Sequence, residues 1–117
     1  MKICILGNSL TALTLAKTLV NLKINVDVLY LNKNLDLSTS RTIGISKSNI
    51  DFFNEKIINI NSLLWKLKKI EIFSDNFNRE KLIEFAKDKE QIFSIIQNHK
   101  LYKILKNNLS KNKFYHS

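Results

Sequence analysis

The chain has 117 residues, 44% of them hydrophobic, with a formal charge of +9, one cysteine, two glycines and no proline. That is one domain at most, long enough for a modest core and short for a complete nucleotide-binding enzyme. The lone Cys4 excludes an intramolecular disulfide, fits a reducing compartment and argues against a metal site, and no apolar run is long enough to span a membrane.

Ile3, Cys4, Ile5 and Leu6 form a short apolar run that stops at Gly7. It predicts a buried strand, with Cys4 in the core, ending in a tight turn. The run starts directly at the amino terminus with no leader before it, so the expected location is cytoplasmic. From Ser9 the period changes. Leu10, Leu13, Leu15, Ala16, Leu19, Val20 and Leu22 lie in a broad apolar band at helical spacing, with Lys17, Asn21 and Lys23 opposite. Ile24, Val26, Val28, Leu29 and Leu31 then read as a second strand, returning after a gap that leaves room only for the same sheet. Residues 1–31 therefore predict a βαβ unit with a right-handed crossover.

The turn Gly7-Asn8-Ser9-Leu10-Thr11-Ala12 stands where dinucleotide-binding folds carry G-x-G-x-x-G or G-x-G-x-x-A. In that pattern the first glycine makes the turn, the second lets the backbone approach a pyrophosphate, and the third small residue allows close packing of helix on strand. Gly7 and Ala12 keep the outer places, and Ser9 replaces the middle glycine while offering a good helix N-cap. An acidic residue usually ends the second strand and binds the ribose. Here Tyr30 holds that position, and Asp27 faces another direction because strand side chains alternate. The unit alone supports a dinucleotide site and a nucleotide-free half of an α/β domain about equally.

Asn32 to Ser40 is polar and turn-rich, a surface loop by composition. In Arg41-Thr42-Ile43-Gly44-Ile45-Ser46 and the following Lys47 to Phe53, Ser46 or Ser48 caps a short helix that buries Ile50 and Phe53. Arg41 is an isolated arginine in a chain that otherwise uses lysine. It suits a planar fork for phosphate or carboxylate, although spacing alone favours an ordinary surface cation. Arginine occurs only twice among 19 cations, and the lysines are scattered among Asn and Ile. A compositional bias explains the charge, and no nucleic-acid partner is expected.

Lys69 to Ser74 alternates and predicts a strand, and Leu82 to Ala86 and Ile92 to Ile96 predict two more, together a meander. Leu82 to Ala86 reads equally well as a short helix starting near Glu80. Asn98 to Leu109 predicts a helix with Leu101, Ile104, Leu105 and Leu109 inward and Lys100, Lys103 and Lys106 outward. His99 reads as a partly exposed surface residue and His116 as part of a frayed end.

The stretches ILGNSLTALTLAKTLVNLKINVDVLY, RTIGISKSNIDFF and LLWKL resemble, in order and spacing, the amino-terminal part of the FAD-dependent aromatic hydroxylases of ubiquinone biosynthesis. These belong to the wider para-hydroxybenzoate hydroxylase-like flavin monooxygenases. The resemblance covers about the first half of the chain. It implies an α/β fold: a Rossmann-like FAD-binding βαβ over 1–31, an Arg motif and helix over 41–55, a β-rich segment over 66–97 and a helix over 98–110. Together these make an incomplete domain.

The implied cofactor is FAD, with NAD(P)H as reductant. The implied cofactor-binding residues are Gly7, Ser9 and Ala12 at the pyrophosphate turn, Tyr30 at the ribose position and Arg41 near the cofactor. No catalytic side chain and no metal ligand is implied. The family's later helix begins with an arginine that reaches the cofactor; His99 stands in its place and lacks the fork. The family's Gly-Asp motif has no counterpart, because the chain contains no Gly-Asp pair.

The polypeptide is therefore expected to be truncated or one half of a split gene, inactive alone, and completed by a carboxy-terminal chain or by homo-oligomerisation. Any membrane association would be peripheral, through a lipophilic substrate. The alternative is a degenerate, non-catalytic α/β module that binds a nucleotide or serves as an interaction partner.

Overall fold

A computed structural model describes residues 1–31, 41–67, 69–73, 75, 81–86 and 93–117. The apolar run at the start forms a strand, Lys2–Leu6 (β1), followed by the amphipathic helix Leu10–Asn21 (α1) and the strand Asn25–Leu29 (β2). β1 and β2 pair in parallel, with Ile3 beside Val26 and Ile5 beside Val28. The expected βαβ unit is present.

The start of α1 is fixed by Ser9, whose hydroxyl accepts the Ala12 amide at 3.2 Å. Its end is a Schellman arrangement: the Lys23 amide bonds the Val20 carbonyl and the Ile24 amide bonds that of Leu19. Lys23 occupies the left-handed position there, at φ 62°, where glycine is the unstrained residue. Lys23→Gly is accordingly expected to stabilise the fold by about 1 kcal/mol, read as a rise in the urea midpoint at unchanged m-value.

The next elements are a strand Thr42–Ser46 (β3) and a helix Lys47–Lys56 (α2). Ser46 caps α2 and accepts the Asn49 amide at 3.3 Å. A 3-10 turn at Asn61–Leu63 leads into a strand Leu64–Leu67 (β4), and strands Lys69–Phe73 (β5), Lys81–Ala86 (β6) and Phe93–Gln97 (β7) follow. A helix Asn98–Ser110 (α3) and a two-residue strand Tyr115–His116 (β8) complete the order.

Among the described residues the strands form three sheets, ordered β1-β2-β8, β3-β7-β4 and β5-β6. The segment Leu82 to Ala86 is a strand, not the alternative helix. The three later strands do not form a meander. β5 and β6 make a hairpin of their own, whereas β7 lies between β3 and β4, antiparallel to both. Non-local pairing with β3, which carries Ile43 and Ile45, buries Ile96 at the core. His116 is not frayed. Tyr115 and His116 pair with Val26 and Asp27 of β2, using its open edge. The expected loop Asn32 to Ser40 lies outside the described residues.

The core lies between α1, α3 and one face of the first sheet. Ala16, Val26, Val28, Leu105 and Leu109 are fully enclosed there. Asn21 ties this layer to α2, its amide donating to the carbonyls of Lys56 and Ile57 at 3.0 and 2.9 Å.

Two expectations about the core are corrected. Cys4 is exposed, not buried, because the sheet covers only the face of Ile3 and Ile5. On the other face Leu6 and Leu29 are 81% and 52% exposed, beside an ion pair of Lys2 and Asp27 at 3.0 Å. Lys17, expected on the solvent side, is buried along its stem, and its ammonium reaches the Asn21 side-chain oxygen at 2.9 Å. Leu15 and Leu22, expected in the apolar band, are exposed.

Candidate functional site

The turn after β1 has the backbone its sequence demands. Gly7 adopts φ +116°, and its amide donates to the Leu29 carbonyl at 2.7 Å, joining the ends of β1 and β2. A Cβ at Gly7 would meet no atom within 4 Å, so the site is open in front of it. Here lies a depression of about 500 Å³ lined by Leu6, Gly7, Asn8, Leu29, Tyr30 and Leu31.

The amino end of α1 follows directly. The intrahelical ladder begins with the Leu13 amide on the Ser9 carbonyl, and the Ser9 hydroxyl takes the Ala12 amide. The amides of Leu10 and Thr11 have no carbonyl one turn earlier within the helix, which is the arrangement that receives an anion. Ala12 is buried against the sheet, as its small size permits.

The expected site residues fall into two groups. Gly7 and Tyr30 line one depression, and Ser9 and Ala12 sit at the helix end beside it. Arg41 is exposed just before β3 and is not part of that lining. Its carbonyl instead accepts the Asn98 amide at 3.0 Å, so Arg41 and the start of α3 are neighbours. At that helix start no side chain caps the backbone, and the Asn98 Oδ1 and His99 Nδ1 are buried without a partner among the described residues. His99 is partly exposed, as expected, with its Nδ1 enclosed. Among the described residues Leu6, Asn8, Leu29 and Leu31 also line the depression; their sequence signal is their place at the strand ends.

Tyr30 packs its ring on the core side, like Val28 two residues earlier. Burial pushes the phenols of Tyr102 and Tyr115 above their ordinary 10.0, and the charge of Tyr30 adds to both. Tyr115 adds to the rise at Tyr102, whereas a hydrogen bond with Ser117 opposes that at Tyr115. The unfolded phenols ionise near pH 10.0 while the folded ones hold their protons higher, so stability is complete below that pH and falls as pH rises through it. The denaturation midpoint is expected to drop as the pH rises above about 10, and less so in Tyr102→Phe.

A second concavity of about 550 Å³ runs between α1, β3 and α2. Thr14, Leu15, Ile43, Phe52 and Phe53 are among its lining, and Leu15 and Phe52 are half exposed. Among the described residues no helix is long and apolar enough to cross a membrane, and no group of three or more His, Cys, Asp or Glu could hold a metal ion.

No family model and no curated protein matches the sequence. Solved structures do match in fold. PqsL of Pseudomonas aeruginosa, a probable FAD-dependent monooxygenase, superposes with a TM-score of 0.75 over 99% of this chain and 32% of its own, at 12% identity. HpxO of Klebsiella pneumoniae, crystallised with FAD and uric acid, gives 0.71 over 99% of this chain and 30% of its own, at 14% identity. The 2,6-dihydroxypyridine-3-hydroxylase of Arthrobacter nicotinovorans gives 0.69 over 98% and 28%, at 18% identity. The chain has the fold of the amino-terminal region of these proteins. It spans less than a third of the length of each.

Proposed function

We propose that this chain is the amino-terminal FAD-binding part of a flavin-dependent monooxygenase that hydroxylates an aromatic ring. The observation that carries this reading is the open depression at Gly7, beside the amino end of α1, in a fold shared with FAD-dependent monooxygenases. The residues fit the adenosine diphosphate end of FAD. Gly7 gives the pyrophosphate an unobstructed approach, the first amides of α1 supply donors with Ser9 shaping the turn, and Ala12 lets the helix sit close to the strand. Arg41, exposed and next to the start of α3, is the residue we assign to the flavin end.

The order of the Gly7 turn, the Arg41 motif, the helix of Ile50 and Phe53, and Trp65 supports the ubiquinone-biosynthesis type within that class, with NAD(P)H as reductant and the cytoplasm as its location. FAD, when bound, supplies the redox and oxygen chemistry; the chain's own residues bind and orient it. We assign the rest of the flavin pocket and the enclosure of the substrate to polypeptide beyond these residues, as a carboxy-terminal chain or a second copy. The bare sheet face carrying Leu6 and Leu29 supports such a cover, because parallel sheets are ordinarily covered on both faces. The 117 residues alone are then expected to bind without hydroxylating.

The test is a titration of the purified chain with FAD, followed by flavin fluorescence and melting temperature, beside Arg41→Ala. Saturable binding, weakened at least about tenfold in the variant, is expected, the size of a lost charge-assisted pair. A folded chain that leaves FAD unbound at high micromolar concentration would remove the reading.

A further inference from the structure

The last part of the chain concentrates charge of one sign. From Gln91 to Ser117 the sequence holds five lysines and no aspartate or glutamate. Helix α3 sorts them. Leu101, Tyr102, Leu105 and Leu109 take its inner face, and Lys100, Lys103 and Lys106 stand exposed on the other. That row runs about 9 Å along the helix, and the turn after α3 extends it with the exposed Lys111 and Lys113. Two of the ammonium groups lie over rings, Lys106 at 6.0 Å from the centre of Tyr102 and Lys113 at 5.3 Å from that of Phe114. The lysines of α2 are set differently, Lys47 beside Asp51 at 3.4 Å and Lys56 beside Glu55 at 3.7 Å.

Exposed apolar side chains stand at the end of the row. Helix α1 leads into β2 and α3 into β8, and these two strands lie side by side in parallel. The carboxyl ends of both helices therefore fall at one end of the first sheet, where its strands start. There Leu22, which closes α1, is 67% exposed, and Met1, just before β1, is 94% exposed. Lysine is a point charge on a flexible stem and follows a field of phosphates without the paired geometry that arginine imposes. Leu22 and Met1 find a seat in the interfacial layer of a bilayer and none on the phosphate backbone of a nucleic acid.

We propose that the outer face of α3, with the adjoining end of α1, docks on an anionic lipid surface, its lysines facing the headgroup phosphates and Leu22 and Met1 entering the interfacial layer. The apolar face of α3 stays in the core, so the helix lies along the bilayer surface. The net charge of +9 draws the whole chain to such a surface, and the α3 row orients it. The Gly7 turn follows the carboxyl end of β1, at the opposite end of the sheet, and is left open to its own ligand.

The experiment is co-sedimentation of the 117-residue chain with vesicles of phosphatidylcholine alone and of phosphatidylcholine with about 30% phosphatidylglycerol. Binding to the anionic vesicles is expected to be at least about tenfold tighter and to fall steeply between about 0.05 and 0.5 M salt. A lysine near the surface is worth about fivefold, so the combined Lys100→Glu, Lys103→Glu and Lys106→Glu variant is expected to lose at least about thirtyfold. All three positions are exposed, and its melting temperature should stay near the parent's; Lys103→Glu alone is expected to lose at least about fivefold. Lys47→Glu, Lys56→Glu and Lys66→Glu together make the same change of charge elsewhere and are expected to cost less than about fivefold. Leu22→Ser is expected to weaken binding at least about threefold at either salt concentration. Equal losses in the two triple variants would reduce the effect to net charge and overturn the proposal. No binding to anionic vesicles at low salt would overturn it too, and retention on duplex DNA through the same three lysines in that case would assign the face to nucleic acid.

Discussion

Gly7→Val is expected to remove adenine-nucleotide binding and to destabilise the chain by about 1–3 kcal/mol. Two separate effects combine. The backbone at this position has φ +116°, which a β-branched side chain adopts only under strain. The added Cβ would meet no atom within 4 Å, so the side chain would start out into the depression that the ligand is to fill. Urea denaturation reads the first effect and an FAD titration the second. Unchanged affinity in the variant would mean that the nucleotide lies elsewhere.

Leu105→Ala is the largest stability change expected. Leu105 is fully buried in α3, in the layer that packs on α1 and the first sheet. Removing its side chain leaves a cavity whose walls belong to two helices, and the loss is expected at about 2–5 kcal/mol. A small domain has about 5–15 kcal/mol in total, so the variant should melt well below the parent. Lys103→Ala, on the exposed side of the same helix, is the control and should shift stability by less than about 0.5 kcal/mol. Equal effects from the two would contradict the assignment of the buried face.

The parts of this fold that are legible in the sequence are those fixed by local period and capping. The change from the strand-like Ile3 to Leu6 to the helical spacing after Ser9 marks the βαβ unit, and Leu101, Leu105 and Leu109 mark the inner face of α3. Other features depend on partners far along the chain. The apolar run at Cys4 and Leu6 looks the same whether one face of its sheet is covered or both, so their exposure could not be read. Strand β7 is recognisable as a strand from its own residues, but its position between β3 and β4 is set by long-range register, Thr42 beside Gln97 and Leu64 beside Ile96. That register also brings the Arg41 carbonyl to the Asn98 amide, which no spacing announces. Lys17 reads as a surface residue from its charge, yet its long stem is apolar enough to be buried while the ammonium finds Asn21.

The candidate site divides in the same way. Gly7, Ser9 and Ala12 announce the turn by residue type at fixed spacing, because a positive φ, a cap and a close approach each require small or particular side chains. The rim of Leu6, Leu29 and Leu31 carries no such requirement. These residues are indistinguishable in sequence from core leucines and become a rim only because the ends of β1 and β2 lie side by side.

The most direct test of the nucleotide site at the Gly7 turn is a titration of the isotopically labelled chain with FAD, followed by amide chemical shifts. The largest changes are expected at Gly7, Asn8, Ser9, Leu10, Thr11 and Tyr30, saturating together. Changes confined to the groove of Leu15 and Phe52, or an unaltered spectrum at saturating FAD, would contradict it.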